Sequence, residues 1–322
     1  MNIDAGEEVV RRIKKSVRST FTKNVLTDIG MFGAFYEAKF PAIKNPVLVS
    51  SVDGVGTKLK IAFAMKRYDT VGQDLVNHCV NDIAVCGASP LYFMDYFATG
   101  KLSPRIAAAV IGGFAKACKE NHCSIIGGET AEMPGFYSAG EFDLAGTIVG
   151  VVERSKIVNG RSIKKGDVLI GLPSTGLHTN GYSLARHVLI PKFSLKKRFA
   201  GLNGTLGEAL LAVHRSYLAP IQALTSKNLI KGMSHITGGG IIGNTMRIIP
   251  KGLSIKIDWF AWQRPFIYDL IQSTGHVPEY DMTRAFNLGV GLICIVDKKN
   301  VDSAMRTLFN KKEMPFVLGE VK

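Results

Sequence analysis

The 322-residue chain contains no CxxC pair, no repeat of about 20–50 residues, no low-complexity linker and no run near the roughly 18 apolar residues of a membrane span. Each absence removes a class of protein. The five cysteines, Cys79, Cys86, Cys118, Cys123 and Cys294, are odd in number and mostly sit within apolar periodic segments. They read as reduced, buried thiols, against a disulfide framework or a cysteine-held zinc. The N-terminal MNIDAGEEVV lacks the apolar core of a secretory leader, so a cytoplasmic protein is expected. Acid is scarce: 26 Asp and Glu stand against 40 Lys and Arg, for a net charge of +14. That excess invites a nucleic-acid reading, but its distribution opposes one. Arg11, Arg12, Lys14, Lys15, Arg18 and Lys23 alternate with Val9, Val10, Ile13, Val17 and Phe21 at helical spacing, and Lys192, Lys196, Lys197 and Arg198 form a second cluster. Both read as solvated faces, so neither a nucleic acid nor a membrane is expected as partner. A basic chain still attracts small anionic ligands such as nucleotides and sugar phosphates.

What is present is a 46% hydrophobic chain with segments that concentrate chemistry. In VLVSSVDGVGTKLK, Val47 to Lys60, a strand-like run delivers Asp53 into a loop. Gly54 and Gly56 there permit close approach of backbone amides to an anion, Thr57 and Lys58 add a hydroxyl and a charge, and Asp53 can ligate Mg²⁺. The GxxxxGK[ST] spacing is missing, so this is no Walker loop. In QDLVNHCVNDIAVC, Leu75, Val76, Cys79, Val80, Ile83 and Ala84 fall on one side of a helix, and Asp74, Asn77, His78, Asn81 and Asp82 share the other. Exposed helix faces favour Lys, Glu and Arg, so this composition points to a site. In SIIGGETAEMPG an apolar run ends at paired glycines followed by Glu129. Asp53, Asp82 and Glu129 are therefore expected to meet around a nucleotide-bound metal.

Strand-like runs alternate with amphipathic helices, so the class is mixed α and β. Ser103 and Pro104 read as N-cap and first-turn proline of a helix through Lys119, and Phe142 to Glu153 as a long strand. Beyond a polar connection, helices are expected near Gly181–Leu189 and Leu206–Leu224, strands around Ser254–Asp258 and Ala285–Val296, then a final helix and strand. The domain boundary is placed near Gly160, giving domains 1–160 and 161–322. PSTGLHTNGYSL offers Ser174, Thr175, His178, Thr179 and Asn180 in a glycine-punctuated loop leading into a helix, where exposed amides favour an anion. His178 there either binds substrate, relays a proton or ties the loop together. Thr237, Gly238, Gly239 and Gly240 form either a second phosphate cradle or a tight turn. The glycines of FNLGVG read as permitting close packing of a central strand.

DGVGTK, VNDIAVCGASPLYFMDYFATGKL, GGETAEMPG, GVVE, GLHTNGYSL, TGGG and FNLGVG follow one another as in the phosphoribosylformylglycinamidine cyclo-ligases, or aminoimidazole ribonucleotide synthetases. The resemblance runs from about Asp4 to the C-terminus. It implies an α/β (α+β type) two-domain fold, with an N-terminal ATP- and metal-binding domain that forms an interfacial barrel with a second subunit, and a C-terminal α/β substrate domain. It also implies ATP-dependent closure of formylglycinamidine ribonucleotide to 5-aminoimidazole ribonucleotide through an iminophosphate, in purine biosynthesis, by a homodimer using Mg²⁺ and with room for a monovalent cation. On this resemblance the metal ligands are Asp53, Asp82 and Glu129, and Lys14 reaches ATP alongside Gly54, Gly56, Thr57, Lys58 and Asn81. Lys14, Asp53, Asp82 and His178 are the catalytic candidates, and Ser174, His178, Thr179, Asn180 and Thr237 to Gly240 line the substrate pocket. Two departures stand out: the chain lacks the longer N-terminal extension with a YKxAG-like segment, and HRSYLAP, His214 to Pro220, replaces an EPTRIY-like run. The alternatives are another ATP-dependent enzyme of the same superfamily and a non-catalytic, basic nucleotide- or RNA-binding protein.

Overall fold

A computed structural model describes residues 3–322, which divide into two compact units. The first comprises residues up to 83 together with 88–155; the second comprises 156–322 together with 84–87. The short insert is tied to its unit by a bond from Val158 N–H to the Cys86 carbonyl, 3.0 Å.

In chain order the first unit runs α1 (Ile3–Arg18), β1 (Pro46–Gly54), α2 (Leu59–Met65), α3 (Asp69–Ala84), β2 (Ser89–Thr99), α4 (Pro104–Glu120), β3 (Ser124–Glu132) and β4 (Phe142–Glu153). The sheet order is β1-β4-β2-β3, antiparallel except for the parallel β2–β3 pair. Its period-2 pattern separates two faces. Phe93, Phe97, Leu144 and Ile148 are buried on the helix-covered face, whereas Leu48, Val52, Met94 and Tyr96 are exposed on the other. Helices α3 and α4 cross at glycines: a Cβ on Gly72 would strike the Val110 carbonyl oxygen, and one on Gly113 that of Asp69. The long strand falls at 142–153 as its alternation predicts. Ser103 occupies the N-cap of α4 with Pro104 in the first turn, but its side chain makes no capping bond.

The second unit runs β5 (Val168–Pro173), α5 (Tyr182–Leu189), α6 (Leu206–Leu210), α7 (Leu218–Thr225), β6 (Ile230–His235), α8 (Gly240–Met246), β7 (Ile255–Ile257), α9 (Phe266–Gly275), α10 (Glu279–Ala285), β8 (Val290–Val296), α11 (Val301–Asn310) and β9 (Phe316–Val321). Its antiparallel sheet has the order β6-β8-β5-β9-β7, and β8 is buried along its whole length. Two expected elements differ. The single helix over 206–224 is broken into α6 and α7, because a helix through Pro220 would set its ring against the Ser216 carbonyl. The intervening residues are held instead by Thr175 Oγ1 donating to the Val213 carbonyl and Tyr217 OH to that of Pro173. The strand expected from Ala285 starts only at Val290, after a turn in which Leu288 and Gly289 take φ of 51° and 97°. The glycines of this segment do permit close packing: a Cβ on Gly291 would overlap the Tyr217 hydroxyl and lie 2.7 Å from His178 Cε1.

All five cysteines are free and four are buried. Among the described residues, no helix is long and apolar enough to cross a membrane.

Candidate active site

The polar side of α3 does not face solvent. Asp74, Asn77, His78 and Asn81 are buried, and Asp82 is only partly exposed. Such a face must be matched internally, and the strand end of β1 matches part of it. Asp53, the penultimate residue of β1, points to the helix side, where its Oδ2 lies 3.1 Å from His78 Nε2. Asp82 Oδ2 is 4.0 Å from the same nitrogen and accepts from Ser51 Oγ at 3.2 Å. Burial works against a charged His78 ring, but the hydrogen bond to Asp53 and the charges of Asp53, Asp82 and Asp74 outweigh it, so its pKa is raised. The two carboxylates remain about one-third exposed. A pair of accessible carboxylates suits Mg²⁺, which binds through one or two carboxylates and completes its shell with water and phosphate oxygens.

Beyond Asp53 the chain turns. Gly54 N–H donates back to Asp53 Oδ1 at 3.0 Å, and Gly56, with φ of 65°, opens a short 3₁₀ turn that points Thr57 outward and Lys58 inward. Lys58 therefore departs from its expected place among exposed phosphate contacts. Its ammonium is fully buried, 2.8 Å from the equally buried Asp74 carboxylate. Burial pulls its pKa down while Asp74 opposes the shift. Asn81, also expected at the cofactor, is wholly buried in α3.

Glu129 does not join Asp53 and Asp82 within the chain. The sheet register aligns Asp53, Gly146, Asp95 and Gly128 in one row, and Gly54, Ala145, Tyr96 and Glu129 in the next. Adjacent rows point to opposite faces, so Glu129 stands on the exposed side, three strand spacings or about 14 Å across the sheet. Strand order, which local sequence does not encode, makes this separation.

Glu129 instead borders a cavity of about 620 Å³ between α1, the loop 28–34 and the β3 edge. Gly127, Gly128, Asp95 and the Gly30 to Gly33 turn also line it. Asp95, unmarked in the sequence reading, has its pKa pushed up to about 7, chiefly by burial, with the Glu129 charge adding to the shift. A Cβ on Gly128 would collide with the Asp95 carboxylate, so the glycine at 128 is what admits that acid. An isolated Asp on the inward side of an aromatic strand, YFMDYF, was the available signal. Lys14 lies on α1 with its ammonium 3.2 Å from Asp28, a wall residue of the cavity that Arg18 also grips.

In the second unit the two predicted loops adjoin. Asn180 Oδ1 would lie 3.2 Å from a Cβ on Gly238, and Asn244 Nδ2 ties the carbonyls of Thr237, Gly238 and Gly240 at 2.9–3.2 Å. Gly239 and Gly240 take positive φ, and a side chain on Gly240 would meet the Thr283 carbonyl oxygen. Ser174 Oγ donates within its own loop, to Gly176 O at 2.9 Å, and lies 3.0 Å from Asn287 Oδ1. His178 sits in the left-handed region at φ 60°, buried, with Nε2 accepting from Thr175 N–H at 3.1 Å. Such a conformation is uncommon outside glycine and clusters at functional sites. Thr179 is buried beside it.

Residues 38–152 match the model of the AIR synthase related protein N-terminal domain, and 164–322 that of the C-terminal domain. Two α/β units carrying these matches in this order define an AIR synthase related protein. The phosphoribosylformylglycinamidine cyclo-ligase of Thermoanaerobacter pseudethanolicus is 51% identical, over 100% of this chain and 95% of that protein. That of Sorangium cellulosum is 50% identical, over 100% and 93%. The chain belongs to the phosphoribosylformylglycinamidine cyclo-ligase family. Among solved structures, the hydrogenase maturation protein HypE in complex with ATP has the same fold at 17% identity, TM-score 0.70, covering 98% of this chain and 86% of that one.

Proposed function

We propose that this protein uses ATP to close formylglycinamidine ribonucleotide to 5-aminoimidazole ribonucleotide in purine biosynthesis, as a cytoplasmic enzyme. Full-length identity of about half to proteins bearing that name carries the reading. The chemical problem is a poor leaving group. The formamide oxygen attacks the γ-phosphorus and ADP departs; the resulting iminophosphate carbon is attacked by the amidine nitrogen, which loses its proton as phosphate leaves with the oxygen and the ring closes. For such transfers a protein chiefly positions groups and neutralises charge.

The first unit is read as the nucleotide side. Asp53 and Asp82 would hold Mg²⁺, which when bound neutralises phosphate charge; Gly54, Gly56 and Thr57 present amides and a hydroxyl beside them. The cavity under α1, with Glu129 and the Lys14 partner Asp28 on its wall, has the size of a small-ligand site. Glu129 would serve the metal only if a second subunit or a bound nucleotide bridges the sheet. The exposed Leu48, Val52, Met94 and Tyr96 face supports the homodimer, since an apolar sheet face of this kind is stabilised by a covering partner. Lys14→Ala is expected to raise the ATP requirement much more than that for the ribonucleotide; equal effects on both would return Lys14 to the solvated face.

The second unit is read as the substrate side, through His178, Thr179, Asn180 and the Thr237–Gly240 turn. Asn180→Ala is expected to weaken ribonucleotide binding while an ATP analogue binds normally, when each is titrated separately by calorimetry. The reverse pattern would mean that the units have exchanged roles. The activity itself is tested by incubating the protein with formylglycinamidine ribonucleotide and MgATP and detecting the diazotisable amine product. Absence of that product, with ATP hydrolysed on another acceptor, would favour a different enzyme of the superfamily.

A further inference from the structure

Three imidazoles converge inside the second unit. His178 comes from the β5–α5 loop, His214 from the segment separating α6 from α7, and His235 from the end of β6; all are buried. His214 Nε2 and His235 Nε2 are 3.0 Å apart, and each of the three residues places a ring nitrogen within 4.8 Å of the other two. His214 belongs to HRSYLAP, the run that enters the interior between α6 and α7.

We propose that His178, His214 and His235 form a binding site for a borderline divalent transition ion of the Zn²⁺ class, separate in chemistry from the carboxylate Mg²⁺ site. Imidazole nitrogen suits Zn²⁺, Co²⁺, Ni²⁺ and Cu²⁺, whereas Mg²⁺ takes oxygen. Two nitrogens at about 2.0–2.1 Å from a tetrahedral ion stand about 3.3 Å apart, close to the present His214–His235 separation. Thr179 Oγ1 lies 3.4 Å from His214 Nδ1, so it can accept from that N–H and leave Nε2 as ligand, the usual outer-shell arrangement of a metal histidine. Coordination releases the proton shared between the two Nε2 atoms. The His178 ring, now stacked on His214 at 4.0 Å and 14° with Nε2 accepting from the Thr175 N–H, must turn out of the stack and exchange that hydrogen bond for the ion if Nε2 is the ligand. The Cε1 edge of that ring is packed against Gly291 and the Tyr217 hydroxyl, so the turn is made away from that edge. An open fourth position remains for water or a ligand oxygen. Inhibition of turnover would follow because the ion withdraws His178; that consequence rests on the substrate-side reading above, whereas the site itself does not.

The full-length protein, stripped with chelator and held in excess Mg²⁺, is titrated with Zn²⁺ by calorimetry and with Co²⁺ by visible absorption. The expected result is one ion per chain, an intense four-coordinate Co²⁺ spectrum, and an affinity that falls in His214→Gln by more than the ~10–100-fold typical of losing an outer-shell partner. No saturable Zn²⁺ binding, a six-coordinate Co²⁺ spectrum, or equal affinity in His214→Gln would overturn the site. Should His214→Gln fail to fold, X-ray absorption on the zinc-loaded natural protein decides: three imidazole nitrogens near ~2.0 Å support it, and an oxygen-dominated shell refutes it. A protein that binds Zn²⁺ in this way yet makes no aminoimidazole product would fail the enzymatic reading alone.

Discussion

Lys58→Met is expected to destabilise the first unit by about 3–5 kcal/mol, the cost of leaving one member of a buried ion pair without its counter-charge. Both Lys58 and Asp74 are completely buried, and their 2.8 Å contact joins the turn after β1 to the middle of α3. Without the ammonium, the Asp74 carboxylate is left deep in the fold, where it must either stay charged at high cost or take up a proton. The double substitution Lys58→Met/Asp74→Leu is expected to recover most of the loss, because apolar groups of similar volume often replace such pairs at little cost. Both tryptophans, Trp259 and Trp262, lie in the second unit, so fluorescence would miss the effect. Amide hydrogen exchange in α3 and β1, with urea unfolding followed by far-ultraviolet circular dichroism, reads the unit concerned. A loss below about 1 kcal/mol, coupled to a steep rise in the ATP requirement, would restore Lys58 to direct phosphate contact.

Asp82→Asn is expected to lower turnover by at least the ~10–100-fold that follows loss of a metal's outer-shell partner, and by more if Asp82 ligates directly. The substitution keeps size and hydrogen-bonding capacity, including an acceptor for Ser51 Oγ, and leaves the apolar positions of α3 untouched. Only the charge facing His78 and the proposed metal position changes. Thermal unfolding should stay close to that of the natural protein, and added Mg²⁺ should recover part of the rate. Near-normal turnover with unchanged Mg²⁺ dependence would remove Asp82 from the site.

The 142–153 strand, the α3 periodicity and the helix starting at Pro104 are local patterns, and they were legible. Asp53 and Asp82 come together beside His78, as a strand end and a polar helix face suggest. Glu129 is expected beside them because its segment also ends an apolar run at glycines next to an acid, yet face and distance depend on strand order and on register shifts such as the one at Phe93/Met94. Lys58 was misplaced for a related reason: one residue of 3₁₀ turn decides whether a side chain faces out with Thr57 or in with Asp74. The break between α6 and α7 carried a visible proline, but its use, delivering His214 and Tyr217 into the interior, appears only when the loop of Thr175 is beside it.

The four residues at 84–87 carry a consequence for how the protein is made and cut. They leave the ribosome with the first unit but are joined later by residues from Lys156 onward, as in the Val158–Cys86 bond. During synthesis the first unit can gather its own strands through β4 while this short stretch waits for a neighbour not yet translated. A fragment beginning at Lys156 lacks a piece of its own unit, and one ending at Ser155 carries four residues of the other. Proteolysis between the units thus yields no clean pair of autonomous halves, and reassembly of separately expressed halves requires the second to recapture a peptide anchored at both ends in the first.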